Sequence, residues 1–170
     1  MELTDFAVDT LNTINQGLTR SLNGLSHHEV IWRPGPQSNS IGHILFHMAR
    51  FEDLIVHVRF QGKPEIWETE KWYQRLNLPV EAGGHGYTVE TLAAFVVPDL
   101  HDLLAYLGAA RAKTIAYLKT VQPADLDRMI PSPHSGDRPL KAVIGRLIIH
   151  AAEHGGEIAY LRGVQRGLDK

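Results

Sequence analysis

The sequence predicts an all-α protein. Four stretches carry apolar residues three to five positions apart, which is the spacing of one face of a helix. No stretch of any length shows the alternation of apolar and polar residues that a β-strand requires, and 170 residues suffice for one domain with its own core. The simplest architecture is a four-helix bundle with a long, partly helical connection between its second and third helices, so residues 1–170 are expected to form a single domain.

The first helix is predicted over residues 2–23 and ends at Gly24, because glycine commonly terminates a helix. A connection at residues 25–39 follows, in which Ser26 and Glu29 form a capping box for one short turn. The apolar stripe of the first helix consists of Leu3, Phe6, Leu11, Ile14, Leu18 and Leu22.

The second helix is predicted to start at Ser38 or Ser40 and to run to about Phe60. Its apolar face is broad, and three histidines lie around the edge of that face. The apolar positions are Ile41, Ile44, Leu45, Met48, Phe51, Leu54, Ile55 and Val58, and the histidines are His43, His47 and His57.

Residues 61–90 do not give a clean helical pattern. A short helical piece is expected around Trp67 and Trp72, and the residues from Gly83 to Gly86 are expected to form a flexible turn. A connection of this length either carries the chain to the other end of the bundle or covers a site, and its aromatic residues could line a substrate pocket.

Residues 88–121 form either one helix broken by proline or two helices in succession, with Pro98 in the first turn of the second. Their apolar stripe contains Leu100, Leu103, Leu104, Leu107, Ile115 and Leu118. Residues 122–139 are rich in turn-forming residues, namely Pro123, Pro131, Pro133, Gly136 and Pro139. The last helix is predicted to begin near Pro139 and to end around Gly163.

Charge and composition argue against several classes of function. The net charge of −2 gives no reason to expect nucleic acid or an anionic membrane as a partner. Cysteine is absent, so any metal must be held by histidine and carboxylate groups, a donor set that favours first-row divalent ions. No apolar run approaches the roughly 20 residues of a membrane span, and residues 1–20 lack the apolar core of a signal peptide, so we expect a cytoplasmic protein.

Histidine is the unusual residue of this sequence, with ten copies, and two pairs are spaced four residues apart. His150 and His154 form one pair and His43 and His47 the other, and each pair projects from one face of a predicted helix. Spacing alone is weak evidence, since ordinary core histidines also occur in such pairs. However, burying several imidazoles without partners is costly, and one shared metal ion would satisfy them together. We therefore interpret His150 and His154, with a histidine from another helix, as a metal site.

Two features beside His150 and His154 each allow two interpretations. Gly155 and Gly156 serve either close helix packing or open space for a ligand, and each costs about 1 kcal/mol relative to alanine within a helix. Glu157 is either a hydrogen-bond partner or fourth ligand of the site, or it is a solvated charge or the partner of Arg162 in an ion pair. The interpretation as a solvated or ion-paired charge is slightly favoured. The order His150-x-x-Glu153-His154 is similar to an inverted zinc-protease motif, but nothing else in this helical chain supports a protease.

Longer motifs carry a family resemblance. The segment from Trp32 to Asp53, WRPGPQSNSIGHILFHMARFED, resembles the second-helix signature of the DinB/YfiT-like superfamily. The segments GKPEIW at 62–67 and LNLP at 76–79 are similar to that family too, and the stretch 147–163 resembles its last-helix signature. The resemblance covers most of the chain.

This resemblance implies a four-helix bundle in up-down-down-up order that holds a divalent metal through three histidines. By position the first ligand is His47, directly before Met48, and the other two are His150 and His154. His43 falls at a position without an assigned ligand and is expected at the rim or behind the ligands. Members of the family typically form dimers, so a homodimer is expected.

Three imidazoles leave an open coordination position, which is the pattern of a catalytic site. The resemblance implies either metal-dependent hydrolysis or transfer of a low-molecular-weight thiol to a small electrophilic substrate, and some relatives are maleylpyruvate isomerases. The thiol route is slightly favoured because no general base is evident beyond Glu153, Glu157 and His43. The expected metal is zinc or nickel, with iron or manganese as alternatives. The competing hypotheses are a stress-related metal- or ligand-binding bundle without catalysis and a helical dimer with structural histidines.

Overall fold

The computed structural model describes residues 3–131 and 136–167 and is mostly helical, which confirms the all-α class. Its α-helices are α1 Leu3–Leu22, α2 His27–Ile31, α3 Ile41–Asp53, α4 Ile66–Thr69, α5 Trp72–Arg75, α6 Val89–Ala94, α7 Leu100–Leu118 and α8 Leu140–Arg166. A π-helical segment, Leu54–Phe60, continues α3 without a break, and a 3₁₀ turn occupies Pro123–Asp125. None of the helices in these two ranges is both long and apolar enough to cross a membrane.

The four long helices pack against one another. Helix α1 lies along α8, and α3 contacts both α7 and α8. The buried apolar residues form two clusters, one centred on Phe46, Trp67 and Tyr106 and the other on Leu11 and Leu147. Two buried carboxylates of α3, Glu52 and Asp53, are paired with buried polar side chains of α7.

One such pair ties three helices together. The Arg111 guanidinium on α7 donates to both carboxylate oxygens of Glu52 on α3, from Nε at 2.6 Å and from Nη2 at 2.8 Å. Its Nη1 also donates to the backbone carbonyl of Leu11 on α1 at 3.1 Å. A buried ion pair requires such complete hydrogen bonding, because both charges have left water.

The connection after α3 is folded firmly onto that helix. Asp53 is fully buried, and its two carboxylate oxygens accept the backbone N–H groups of Ile66 and Trp67 at 3.0 Å and 2.9 Å. Asp53 therefore satisfies free amides at the start of α4. Trp67 and Trp72 are buried in the core, so the expectation that these aromatic residues line an open pocket is wrong.

Residues 88–121 form two helices, α6 and α7, and the second alternative is confirmed. The position predicted for Pro98 is wrong, because Asp99 is the N-cap of α7 and Pro98 precedes it. Proline disfavours helical geometry in the residue before it, which keeps Val97 extended. The non-helical segment Phe95–Val97 then crosses α3 at Gly42, where any Cβ would overlap Val97 Cγ1.

Other boundaries differ from the sequence predictions by a few residues. Helix α1 ends at Leu22, α3 begins after its N-cap Ser40, and α8 continues to Arg166. The expectation that the chain has no strands is wrong. A short antiparallel ladder pairs β1, Met129–Ile130, with β2, Arg138–Pro139. Strands of two residues are too short to show an alternating pattern in the sequence. Residue 2 of the predicted first helix and Pro133 lie outside the described residues.

Candidate metal centre

Three histidines from two helices meet at one point. His47 projects from α3, and His150 and His154 project from successive turns of α8. The Nε2 atom of His150 lies 2.9 Å from Nε2 of His47 and 3.2 Å from Nε2 of His154. One ligand atom from each ring lies within 4.8 Å of the other two, so these side chains could hold a metal ion.

The spacing of the nitrogens fits a divalent ion. Ligand nitrogens at 2.0–2.1 Å in a tetrahedral site lie about 3.3 Å apart, close to the two Nε2 separations between these rings. Each neutral imidazole has one N–H and one nitrogen lone pair. Without a cation at the shared point, at least two of these nitrogen lone pairs would therefore face each other. The donor set therefore suits a cation better than it suits hydrogen bonding within the triad.

The opposite nitrogen of His47 is held by the chain connecting α5 and α6. His47 Nδ1 donates to the backbone carbonyl of Gly84 at 2.7 Å, which leaves the Nε2 lone pair for the shared point. Gly84 has φ +71°, and a Cβ there would lie 2.9 Å from Cβ of Arg50. The glycine-rich turn, interpreted from sequence as flexible, thus makes a specific contact with the site.

His154 is oriented by a carboxylate. Its Nδ1 donates to Oε2 of Glu157 at 2.6 Å, so its Nε2 also faces the shared point as a lone pair. Among the interpretations of Glu157, the structure therefore shows the hydrogen-bond partner of His154, although the Glu157 side chain is also 52% exposed. The Arg162 guanidinium donates to the backbone carbonyls of Ser21 and Asn23.

His150 is the most buried member of the triad, and its ring stacks on Phe51 with centroids 3.7 Å apart. Burial, followed by the nearby His154 and His47 rings, lowers the pKa of His150 to about 3. Burial also lowers the pKa of His47. Both imidazoles are therefore neutral at physiological pH, which is the protonation state that binds metal.

A buried network supports the turn that carries Gly84. Arg50 Nε donates to the carbonyl of Ala82 at 3.1 Å, and its guanidinium pairs with Glu65 at 2.9 Å and with the Tyr106 hydroxyl at 3.3 Å. Sequence reasoning assigned no role to Glu65 or Tyr106. The available signal was a charged residue, Arg50, within the apolar face of a helix, but its partners are distant in the chain.

The remaining sequence candidates lie outside the triad. Glu153 pairs with Arg146 at 3.0 Å on the exposed side of α8. His43 is 5% exposed, so the expected rim position is wrong, and neither of its ring nitrogens has a hydrogen-bond partner among the residues that the structure describes. It is therefore buried beside the site without taking part in the triad's hydrogen bonding.

Gly155 and Gly156 of α8 do not serve tight packing against the described residues. A Cβ on Gly155 would meet Ile14 Cγ2 only at 4.0 Å, and a Cβ on Gly156 would meet nothing within 4 Å. The structure therefore does not support the interpretation that these glycines allow close helix packing, and the interpretation that they leave open space for a ligand remains.

Comparison with known proteins identifies similar sequences and folds. A family model described as the DinB superfamily matches residues 11–158. Among solved structures, a crystal structure of a conserved protein from Enterococcus faecalis is 25% identical and superposes with a TM-score of 0.84. The alignment covers 96% of this chain and 97% of that chain. No curated protein matches the sequence.

Proposed function

The chain belongs to the DinB superfamily, and from this membership and the histidine geometry we propose a divalent-metal-binding protein that works as a metal-dependent enzyme. The four long helices α1, α3, α7 and α8 form its bundle in up-down-down-up order, within one domain spanning residues 1–170. The pairwise packing of α1 with α8 and of α3 with α7 supports this arrangement.

The metal is held by His47, His150 and His154. The observation that carries this proposal is the convergence of three Nε2 atoms whose rings are oriented from behind in two cases, by Gly84 and by Glu157. Three protein ligands leave a coordination position for a small molecule. Imidazole donors suit zinc or nickel, with iron or manganese as alternatives.

A divalent ion at this point supplies Lewis acidity, which lowers the pKa of water or of a thiol. The surrounding residues favour the thiol as nucleophile, because the nearby carboxylates are engaged: Glu157 orients His154, and Glu153 is paired with Arg146. A water nucleophile benefits from a general base, whereas a thiol ionises more readily. We therefore place a thiol-dependent S-transferase first and a hydrolase second, acting on a small-molecule substrate with a low-molecular-weight thiol as co-substrate.

The alternative is a metal- or ligand-binding bundle without catalysis, linked to stress. The proposal also includes a homodimer, which the family resemblance implies, and a cytoplasmic location, which the composition suggests. A helical dimer with purely structural histidines is the third possibility, and the metal content of the protein distinguishes it from the first two.

Metal content is measured on untagged protein by elemental analysis. Wild-type protein is expected to carry a stoichiometric divalent ion, and His47→Ala and His150→Ala are expected to lose it. His101→Ala is the matched control, since that side chain is 91% exposed and lies outside the triad. Metal content that is the same in all four proteins would exclude the three-histidine site.

Activity is measured with monochlorobimane as electrophile and a panel of cellular thiols. Metal-dependent conjugation that disappears in the His47→Ala protein supports the transferase. If the protein binds metal stoichiometrically but turns over no thiol in the panel and hydrolyses no ester or amide substrate, the non-catalytic alternative replaces the enzyme.

A further inference from the structure

A cavity lies at the N-terminal end of α3. Its volume is about 310 Å³, within the range of small-molecule sites. Helix α6 and the segment Phe95–Val97 supply an apolar wall. The polar part of the lining comes from Ser40, His43, Arg33 and His27.

His43 is the unusual residue of this cavity. Its side chain is almost fully buried, yet both ring nitrogens lack a hydrogen-bond partner within the described part of the chain. Its neighbours are the edges of Tyr87 and Phe95, with ring centroids at 4.5 Å and 5.4 Å. A buried polar group without partners costs stability and calls for an explanation, such as strain, a functional role, or a bound water or ligand.

The protonation state of His43 defines what it can bind. Burial, with the positive charge of Arg33 and the nearby His47 as lesser causes, lowers the pKa of His43 to about 4. The ring is therefore neutral and offers one N–H donor and one acceptor. Its position four residues before His47 on α3 puts the two rings on the same face, one helical turn apart.

The charges around the cavity favour an anion. Arg33 contributes a permanent positive charge, and the lining contains no acidic residue. The 13-residue helix α3 begins at this cavity. Of its first three backbone amides, the hydrogen bonds of the described residues satisfy only that of His43, which donates to the Ser40 side chain. A helix start carries partial positive charge. The carboxylate of Asp99 lies 3.4 Å from Nδ1 of the lining residue His27, but both side chains are largely exposed, so water and salt screen that charge.

We propose that this cavity binds the carboxylate of a small, largely apolar molecule, with His43 donating a hydrogen bond and Arg33 supplying the counter-charge. This is a binding site separate from the three histidines, and the inference therefore goes beyond the function proposed above. Because the His43 nitrogens are enclosed, a carboxylate reaches them only if the neighbouring ring of Phe95 moves aside.

The test uses benzoate as probe, with benzamide as its neutral isostere. Binding is followed by NMR of methyl-labelled and histidine-labelled protein, both loaded with metal and as the His150→Ala variant. Benzoate is expected to shift the methyl signals of Leu92 and Val97 and the ring signals of His43. Benzamide is expected to bind at least tenfold more weakly.

Two cavity variants and one control identify the groups responsible. His43→Phe keeps an aromatic ring and removes both nitrogens, and Arg33→Gln removes the charge of a partly exposed side chain without touching the core. Each is expected to weaken benzoate binding about tenfold or more. His101→Phe, a histidine outside the cavity, is expected to leave the affinity unchanged.

Three results would overturn the proposal: no shift of the cavity signals, equal affinity for benzoate and benzamide, or wild-type affinity in both cavity variants. Shifts confined to His47, His150 and His154 in metal-loaded protein would mean that the carboxylate binds at the metal centre instead. Benzoate binding that persists in His150→Ala protein supports the cavity even if the metal proposal fails, so the two failures are distinguishable.

Discussion

Individual side chains at this site are held by atoms far away in the sequence. His47 depends on the carbonyl of Gly84, and the position of Gly84 depends on Arg50, which contacts both the turn and the core. Replacing one of these residues is therefore expected to disturb the histidine triad without removing any of its three members.

Gly84→Ala is expected to lower the free energy of unfolding by about 1–3 kcal/mol, because the left-handed backbone strains alanine and the new Cβ meets Arg50. Gly86→Ala is the matched control: its φ is +73°, but a Cβ there meets nothing within 4 Å. Chemical denaturation and metal titration should show a larger loss of stability for Gly84→Ala, with weaker metal binding in that variant only. Equal effects in both variants would mean that backbone strain alone is responsible.

The acid sensitivity of the metal-free protein is expected to involve His43. Its folded pKa of about 4 lies below the unfolded value of 6.5, so the unfolded chain binds more protons between these values. Stability is therefore fully present above about pH 6.5 and falls as the pH decreases towards 4. In His43→Phe protein, the slope of the unfolding free energy against pH in this window should decrease by about 1 kcal/mol per pH unit. Urea denaturation at several pH values, with a chelator present, measures this slope for both proteins. A slope that is the same in His43→Phe and wild-type protein would contradict the low pKa of His43.

Among the secondary-structure elements, α3 and α8 carry the three histidines, and each contains a feature that is unfavourable in a regular α-helix. Helix α3 passes into a π-helical segment at Leu54, and α8 contains adjacent glycines directly after His154. Features of this kind are frequent at functional sites, since they alter side-chain direction or leave space.

Gly156→Ala is expected to raise the free energy of unfolding by about 0.5–1 kcal/mol, because alanine favours the helix and the added methyl group meets no atom within 4 Å. Thermal or chemical unfolding of the metal-free protein measures the gain. Gly42→Ala, on α3, is the contrasting variant, since its Cβ would overlap Val97 and the protein should be destabilised. A loss of stability in Gly156→Ala protein would indicate that the glycine serves packing after all.

For the molecule as a whole, the Glu52–Arg111 pair joins α3 to α7 and, through the Leu11 carbonyl, to α1. Glu52→Ala should lower the free energy of unfolding by about 3–5 kcal/mol, because it leaves a buried guanidinium without its partner. The double variant Glu52→Met, Arg111→Leu should recover much of that loss, since no unpaired charge remains. Denaturation of the three proteins tests this, and a double variant as unstable as the single one would contradict it.

The architecture was largely readable from the sequence because helical periodicity is a local property. The apolar stripes predicted the long helices, and the all-α class is confirmed. The two-residue strands and the position of Pro98 were missed, since so short a ladder has no period and the start of α7 depends on how Val97 packs against Gly42.

The sequence by itself determined that His150 and His154 share one face of a helix, because a four-residue spacing is fixed by helical geometry. Family resemblance added His47. Only the tertiary structure decided that the three Nε2 atoms converge and that Gly84 and Glu157 orient two of the rings. It also decided that His43 is buried without a hydrogen-bond partner among residues 3–131 and 136–167. Distances between side chains on different elements depend on packing across the whole chain, and no local pattern encodes them.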